Sequence, residues 1–218
     1  MRNSARRRTV AGPGARSEGP GPSTERGRRT RALLVRAARE VFERDGYLDA
    51  RVTDITAQAD VAVGTFYTYF RSKQEIFQAV VGDIGDEIYA VGVSTAAHDD
   101  PVAVIDQANR QFFRFYRDNA DLVAIIEQVA TINPDFRETR RRLKDRMVSR
   151  VEGSIRRLQA DGTADPLVDA HCAASALVSM VSNFAYTWLV LGEPFEEEVA
   201  ANTLTRLWAQ SLGIPVRR

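Results

Sequence analysis

The chain has 218 residues, 44% of them apolar, which is enough for a proper core in one mid-sized domain or two small ones and excludes a wholly disordered protein. A single cysteine, Cys172, and two histidines exclude an intrachain disulfide framework and leave little material for nucleophilic or metal chemistry. The net charge of +1 hides an uneven distribution: through Arg31 nine arginines face only Glu18 and Glu25, a local +7, and the rest carries −6.

In chain order, residues 1–23 hold Arg6, Arg7 and Arg8 and a Gly/Pro-rich run with almost nothing to bury, so a disordered basic tail is expected. Such a tail is either a solubilising appendage or an arm along a phosphate backbone. No apolar segment follows the arginines, so no secretory signal is expected. A first helix then runs from Thr24 or Thr30 to Asp45, with Leu34, Ala38, Val41 and Phe42 at helical spacing and Gly46 just past its end.

Residues 52–73, VTDITAQADVAVGTFYTYFRSK, organise the rest. Two short helical runs, 52–59 and 63–70, are joined by Asp60-Val61-Ala62, the connection length of a helix-turn-helix. Ile55 and Ala59, and again Phe66 and Phe70, repeat at a spacing of four, so each run can bury a stripe with Val61 plugging the turn. The opposite face of the second run holds Thr65, Tyr67, Thr68 and Tyr69. Hydroxyls and tyrosine edges suit phosphate oxygens and thymine methyls, whereas a merely solvated face normally carries Glu, Lys and Gln. Gly64 admits close approach of a partner near the helix start, where N–H groups attract phosphate. Ser72-Lys73-Gln74-Glu75 reads as a capping box opening the next helix. Lys73, in that first turn, opposes the helix dipole and is expected either as a plain exposed lysine or as a phosphate clamp.

With these residues in view, positions 31–81 resemble the DNA-binding domain of the tetracycline-repressor (TetR-like) family of bacterial transcription regulators. The resemblance is carried by Ala37, Ala38, Phe42, Gly46, Tyr47, Asp54-Ile55, Ala59, Val61, Gly64-Thr65-Phe66-Tyr67, Phe70, Ser72-Lys73 and Phe77. It implies that Thr65 and Tyr67 touch bases or methyls and that Tyr69 and Lys73 hold phosphates. The chain departs from the family pattern at three places. The usual turn glycine is Asp60, tolerable because Asp visits left-handed backbone readily. The usual capping Ser is Ala62, which forgoes about 1 kcal/mol. The usual Thr and Arg of the first run are Ala50 and Thr53, with Arg51 supplying the displaced charge.

Beyond Ser72 the periodicity predicts helices only. One continues through Phe77, Val80, Val81, Ile84 and Ile88; after a polar break at His98-Asp99-Asp100, Pro101 opens another, with Ile105, Ala108, Phe112, Phe115 and Tyr116 on its apolar face. A run over 122–129 is followed by a long amphipathic helix over 135–161, whose second side carries Arg140, Arg141, Arg142, Lys144, Arg146, Arg150, Arg156 and Arg157. That side reads mainly as a solvated face laced with pairs such as Glu138–Arg142 and Glu152–Arg156, the alternative being a site for an anionic ligand group. Residues 170–192 lack charge entirely; their length admits a membrane span, but Ser175, Ser179, Ser182 and Tyr186 along one side favour a helix buried by protein on several sides. The last helix, 195–212, opens on Glu196-Glu197-Glu198 and is expected to bury Val199, Leu204, Leu207 and Trp208.

The expected fold is all-α: a tail over 1–23, a helix-turn-helix DNA-binding domain over 24–72, and a helical ligand-binding and dimerisation domain over 73–218. His171 and Cys172 point about 100° apart on a helix and form no catalytic pair, with His171 expected in the interior or at an interface. No enzyme activity, cofactor, metal or membrane association is expected. The predicted function is a cytoplasmic, nucleoid-associated repressor that binds a palindromic duplex operator as a homodimer. The family resemblance implies dimerisation through the last two helices and release by a small hydrophobic effector. The predicted DNA contacts are Arg51, Thr53, Gly64, Thr65, Tyr67, Thr68, Tyr69 and Lys73. An apolar effector pocket is predicted at Phe112, Phe115, Tyr116, Met147, Phe184 and Trp188, with Asn183 as a polar member. The competing reading is a helical ligand-binding or scaffolding protein whose motif no longer reads DNA.

Overall fold

Local hydrogen bonds set most of the helix starts. In the computed structural model, which describes residues 24–91 and 100–216, Thr24 caps α1 (Glu25–Asp49) by accepting from the Gly27 amide at 3.1 Å. Gly46 breaks regular helix geometry with φ 75°, so the segment after it is a separate turn that leads into α2 (Val52–Gln58). The tail over 1–23 and the break at His98 and Asp99 lie outside the described residues.

After α3 (Val63–Tyr69), the Ser72 hydroxyl accepts from the Glu75 amide at the start of α4 (Lys73–Val91). The reciprocal arm of that box lands one residue early, with the Arg71 amide donating to Glu75 at 2.6 Å. Asp100 caps α5 (Pro101–Asp118), Asn133 closes α6 (Ala120–Ile132) and caps α7 (Pro134–Ala160), and Asp169 caps α8 (Ala170–Leu189). Glu196 caps α9 (Glu197–Ser211) through the Val199 amide. Among the described residues there is no strand.

The N-terminal core is Phe42, Ile55, Phe66, Phe70, Ile76 and Phe77, all essentially without solvent contact. It continues into the second half through an aromatic chain in which Tyr47 meets Phe77 and Phe136, the latter from the first turn of α7. α4 is therefore packed on both sides, and at Gly85 it approaches α7 so closely that an added Cβ would lie 2.3 Å from Leu143. A second join runs through Arg39 of α1, whose guanidinium donates at 2.6 Å to Oδ1 of buried Asn119 between α5 and α6.

In the C-terminal half α5 lies against both α8 and α9, and α8 along α7. Buried Asn109 of α5 donates to Thr205 of α9, and Arg110 forks onto Glu198 at 2.7 and 3.0 Å. α8 has the length and composition to cross a membrane, yet here it packs Ala174, Leu177, Val178, Val181, Ala185 and Trp188 into protein. Two expectations are corrected. Val199 and Leu207 were expected in the core, but 62% and 48% of their surface is open, as are Leu191 and Phe195; the buried positions of α9 are Ala200, Ala201, Leu204, Thr205 and Ala209. His171 is not interior: it lies on the surface with Nδ1 2.9 Å from Glu152, because the turn of α8 that carries it faces outward over α7.

Candidate nucleic-acid interface

The helix-turn-helix closes around a left-handed residue. Asp60 takes φ 52°, the one positive φ outside glycine among the described residues, and lets the Val61 amide return to the Thr56 carbonyl at 3.0 Å. Arg51 precedes α2 and is exposed, and its backbone amide donates to Asp54 at 3.2 Å. Thr53 is exposed two residues on. α3 has Ala62 at its N-cap and no side-chain cap.

The buried side of α3 is a single residue, Phe66, backed by Phe70. Its outward side is Val63, Gly64, Tyr67 and Thr68, with Tyr67 58% and Val63 42% exposed. Tyr67 meets Phe66 edge-on at a centroid distance of 5.3 Å, with more than half of its surface open to solvent. Thr65 and Tyr69 are half-buried flanks, and the Thr68 hydroxyl back-bonds to the Gly64 carbonyl. Gly64 has an ordinary helical φ, and a Cβ there would meet nothing within 4 Å. Neither backbone geometry nor internal packing therefore calls for glycine, which costs about 1 kcal/mol relative to Ala inside a helix. Val63 was absent from the predicted contacts, although its spacing of four from Tyr67 puts it on the same face.

Lys73 stands elsewhere. Its ammonium donates to the carbonyls of Tyr47, Leu48 and Ala50 at 2.7, 2.9 and 2.8 Å and lies 4.9 Å from the Tyr47 ring centre. All three protons are used to tie the turn after α1 to α4. Burial pushes its pKa below the ordinary lysine value. The expected phosphate clamp is thus occupied with holding backbone, which also answers the unfavourable dipole at that position: the cation sits among carbonyl oxygens.

Comparison with known proteins agrees with this geometry. Residues 34–80 match the family described as bacterial regulatory proteins, tetR family, and residues 98–209 match the tetracyclin repressor-like C-terminal domain, just over half of the chain. The chain belongs to the TetR family. It is 24% identical over 194 residues to the HTH-type transcriptional repressor BepR of Brucella suis, covering 85% of this chain and 93% of that one. Its fold matches Salmonella enterica GusR with a TM-score of 0.73 at 21% identity, over 88% of this chain and 98% of that one. It also matches the fatty acid degradation regulator FadR of Bacillus halodurans with a TM-score of 0.67 at 19% identity, over 92% and 100%. As a TetR-family member the protein is a transcriptional regulator that binds DNA through the helix-turn-helix.

The predicted effector residues of this TetR-family protein run from a buried aromatic cluster to a groove at its edge. Phe112, Phe115, Tyr116 and Trp188 are buried, with the Phe112 and Tyr116 rings tilted against each other at 4.7 Å and Trp188 edge-on to Phe113 at 5.4 Å. Met147 is half-buried against that core from α7. Burial pushes the Tyr116 hydroxyl up to about 12. Phe184 bridges cluster and groove: its ring lies 6.0 Å from Trp188, 6.4 Å from Phe113 and 4.8 Å from Phe195, and it lines a groove of about 640 Å³ between α8 and α9, together with Met180, Asn183, Val199 and Leu207. One helix turn separates Phe184 from Trp188, so the two rings share a side of α8.

Proposed function

We propose that this TetR-family regulator is a repressor that binds a palindromic operator as a homodimer in the bacterial cytoplasm, and that a small ligand releases it. The observation that carries the DNA-reading part is the outward side of α3. Val63, Tyr67 and Thr68 are exposed, and Gly64 between them has no internal reason to be glycine. One residue of bare backbone beside an exposed tyrosine fits a major groove, where methyl and hydrogen-bonding contacts specify bases and nearby hydroxyls hold phosphates. Arg51, Thr53, Thr65 and Tyr69 flank that stretch and are assigned to phosphate and sugar contacts. Lys73 is left out of this assignment because its donors are occupied. The arginine-rich residues 1–23 add sequence-independent attraction by counterion release.

The dimer reading is supported by the open apolar side of α8 and α9. Exposed Phe195, Val199 and Leu207 line the groove together with Phe184 and Met180, a contiguous patch that a soluble monomer rarely leaves uncovered. A second copy applied by a two-fold axis covers it and sets two recognition helices about 34–36 Å apart, one helical turn of DNA. The effector reading is supported by α5. Gln111 Oε1 is buried without a hydrogen-bond partner one turn before Phe115, and the half-buried Met147 beside this core is adaptable filling. An apolar ligand carrying one N–H or O–H donor fits both features.

Selection of bound sequences from a random duplex pool by the purified full chain tests the function. Recovery of an inverted repeat is expected, and a single unrepeated half-site, or no enrichment, would overturn the dimeric operator reading. With the selected site in hand, Tyr67→Ala is expected to weaken specific binding by about 1–3 kcal/mol while leaving helicity and dimer mass unchanged.

A further inference from the structure

Most of the basic side of α7 is neutralised by its own neighbours. Arg140 pairs with Glu127, Arg141 with Glu138 and Asp145, Arg142 with Glu138, Arg146 with Asp86 of α4, and Arg156 with Glu152. Two guanidiniums, Arg150 and Arg157, have no carboxylate partner among the described residues. They are two helical turns apart, so they share a face, and both line an open cleft of about 640 Å³ between α7 and the end of α4.

The cleft is built rather than incidental. Arg150 is half-buried, stacks 4.7 Å from the centre of the Tyr89 ring and donates to the Tyr89 carbonyl, while Arg146 stands at the same distance from that ring. Two guanidiniums are thus gathered on one aromatic side chain. Burial lowers the Arg150 pKa, the direction expected of a cation held out of water without a counter-charge. Arg157 donates to the Ser154 hydroxyl at 2.9 Å, and its Nη1 lies 3.8 Å from where a Gly153 side chain would begin. Gly153 therefore leaves the floor between the two arginines bare. Ser149 adds an exposed hydroxyl, and the acid at the rim, Asp145, is engaged by Arg141 at 2.9 Å.

We propose that this cleft is an anion site that takes a phosphate-bearing small molecule, with Arg150 and Arg157 as its principal donors and Ser149 as a third. Two planar guanidinium forks match a tetrahedral oxyanion bearing close to two negative charges better than a single carboxylate. The site is distant in sequence from α3 and separate from the aromatic core of α5, so it stands whether or not the operator and apolar-effector readings hold.

The test is calorimetric titration of the full chain, without DNA, with inorganic phosphate, pyrophosphate and ATP at constant ionic strength, with chloride as the control. Saturable binding of pyrophosphate or ATP is expected; tighter binding of ATP assigns a nucleotide source, and equal binding assigns the phosphate group alone. Arg157→Gln, an exposed change that leaves the fold intact, is expected to weaken binding about tenfold or more. Arg140→Gln, at a residue paired with Glu127 and outside the cleft, is expected to leave it unchanged. No saturation beyond the chloride control, or equal binding by Arg157→Gln and the parent chain, would overturn the site.

Discussion

Two surfaces of this protein expose apolar side chains, and they are built differently. The outward side of α3 mixes Val63 and the Tyr67 ring with hydroxyls and a bare glycine backbone, while that of α8 and α9 is Leu191, Phe195, Val199 and Leu207 around a groove with little polar lining. The first suits a partner that presents hydrogen-bonding edges and methyl groups in alternation, as DNA does. The second suits a partner as apolar as itself, and a second copy supplies one. Exposure alone does not distinguish the two; the spacing of polar atoms within the patch does.

The sharpest way to break this contrast is Leu207→Glu. A carboxylate forced into an apolar contact without a partner costs about 3–5 kcal/mol, so the dimer is expected to dissociate at concentrations where the parent chain stays paired. Sedimentation equilibrium reads the mass, and unchanged helicity locates the effect at the contact. Parent-like mass would remove the α8–α9 face as the interface.

Next in size is Lys73→Met, which keeps the stem and removes three charge-assisted bonds to Tyr47, Leu48 and Ala50. A loss of about 2–3 kcal/mol in folding stability is expected in urea, with no change in the slope of log K against log salt for DNA. A salt slope reduced by about one, with stability intact, would instead restore the phosphate role.

Gly64→Ala separates fold from function on the first surface. Helix propensity predicts a gain of up to about 1 kcal/mol in stability, since the added methyl meets nothing within the chain. Operator affinity is expected to fall nonetheless, because the methyl stands where the backbone meets its partner. Equal or better affinity would mean that DNA does not approach there. The smallest effect is expected for Ala62→Ser, which supplies the cap that α3 lacks and adds roughly 0.5–1 kcal/mol to the thermal stability.

These residues also divide by how far their causes reach along the chain. The helix-turn-helix was legible because its determinants are short-range: Ile55 with Ala59 and Phe66 with Phe70 are set by the helical period, Asp60 by the sterics of one residue, and the Ser72 cap by an amide three positions away. The all-helical class and the starts of α5, α8 and α9 follow from the same kind of local rule. Periodicity says that a side chain is apolar, not what covers it, so Val199 and Leu207 read as core when α5 instead takes the Ala200, Leu204 and Thr205 side of α9. Nor does it show how the expected effector residues are joined: Phe113 meets both Phe184 and Trp188, and Phe184 also meets Phe195 at the edge of the groove. Lys73 needed carbonyls some 23 to 26 positions back, and His171 a carboxylate 19 back. What the sequence determined by itself was each helix and the motif that reads DNA, because backbone sterics and capping act within a few residues. Only the tertiary structure decided which cations are occupied, which apolar side stays open and which arginines of α7 are left without a carboxylate, because charge pairing and burial depend on neighbours that the chain brings together from afar.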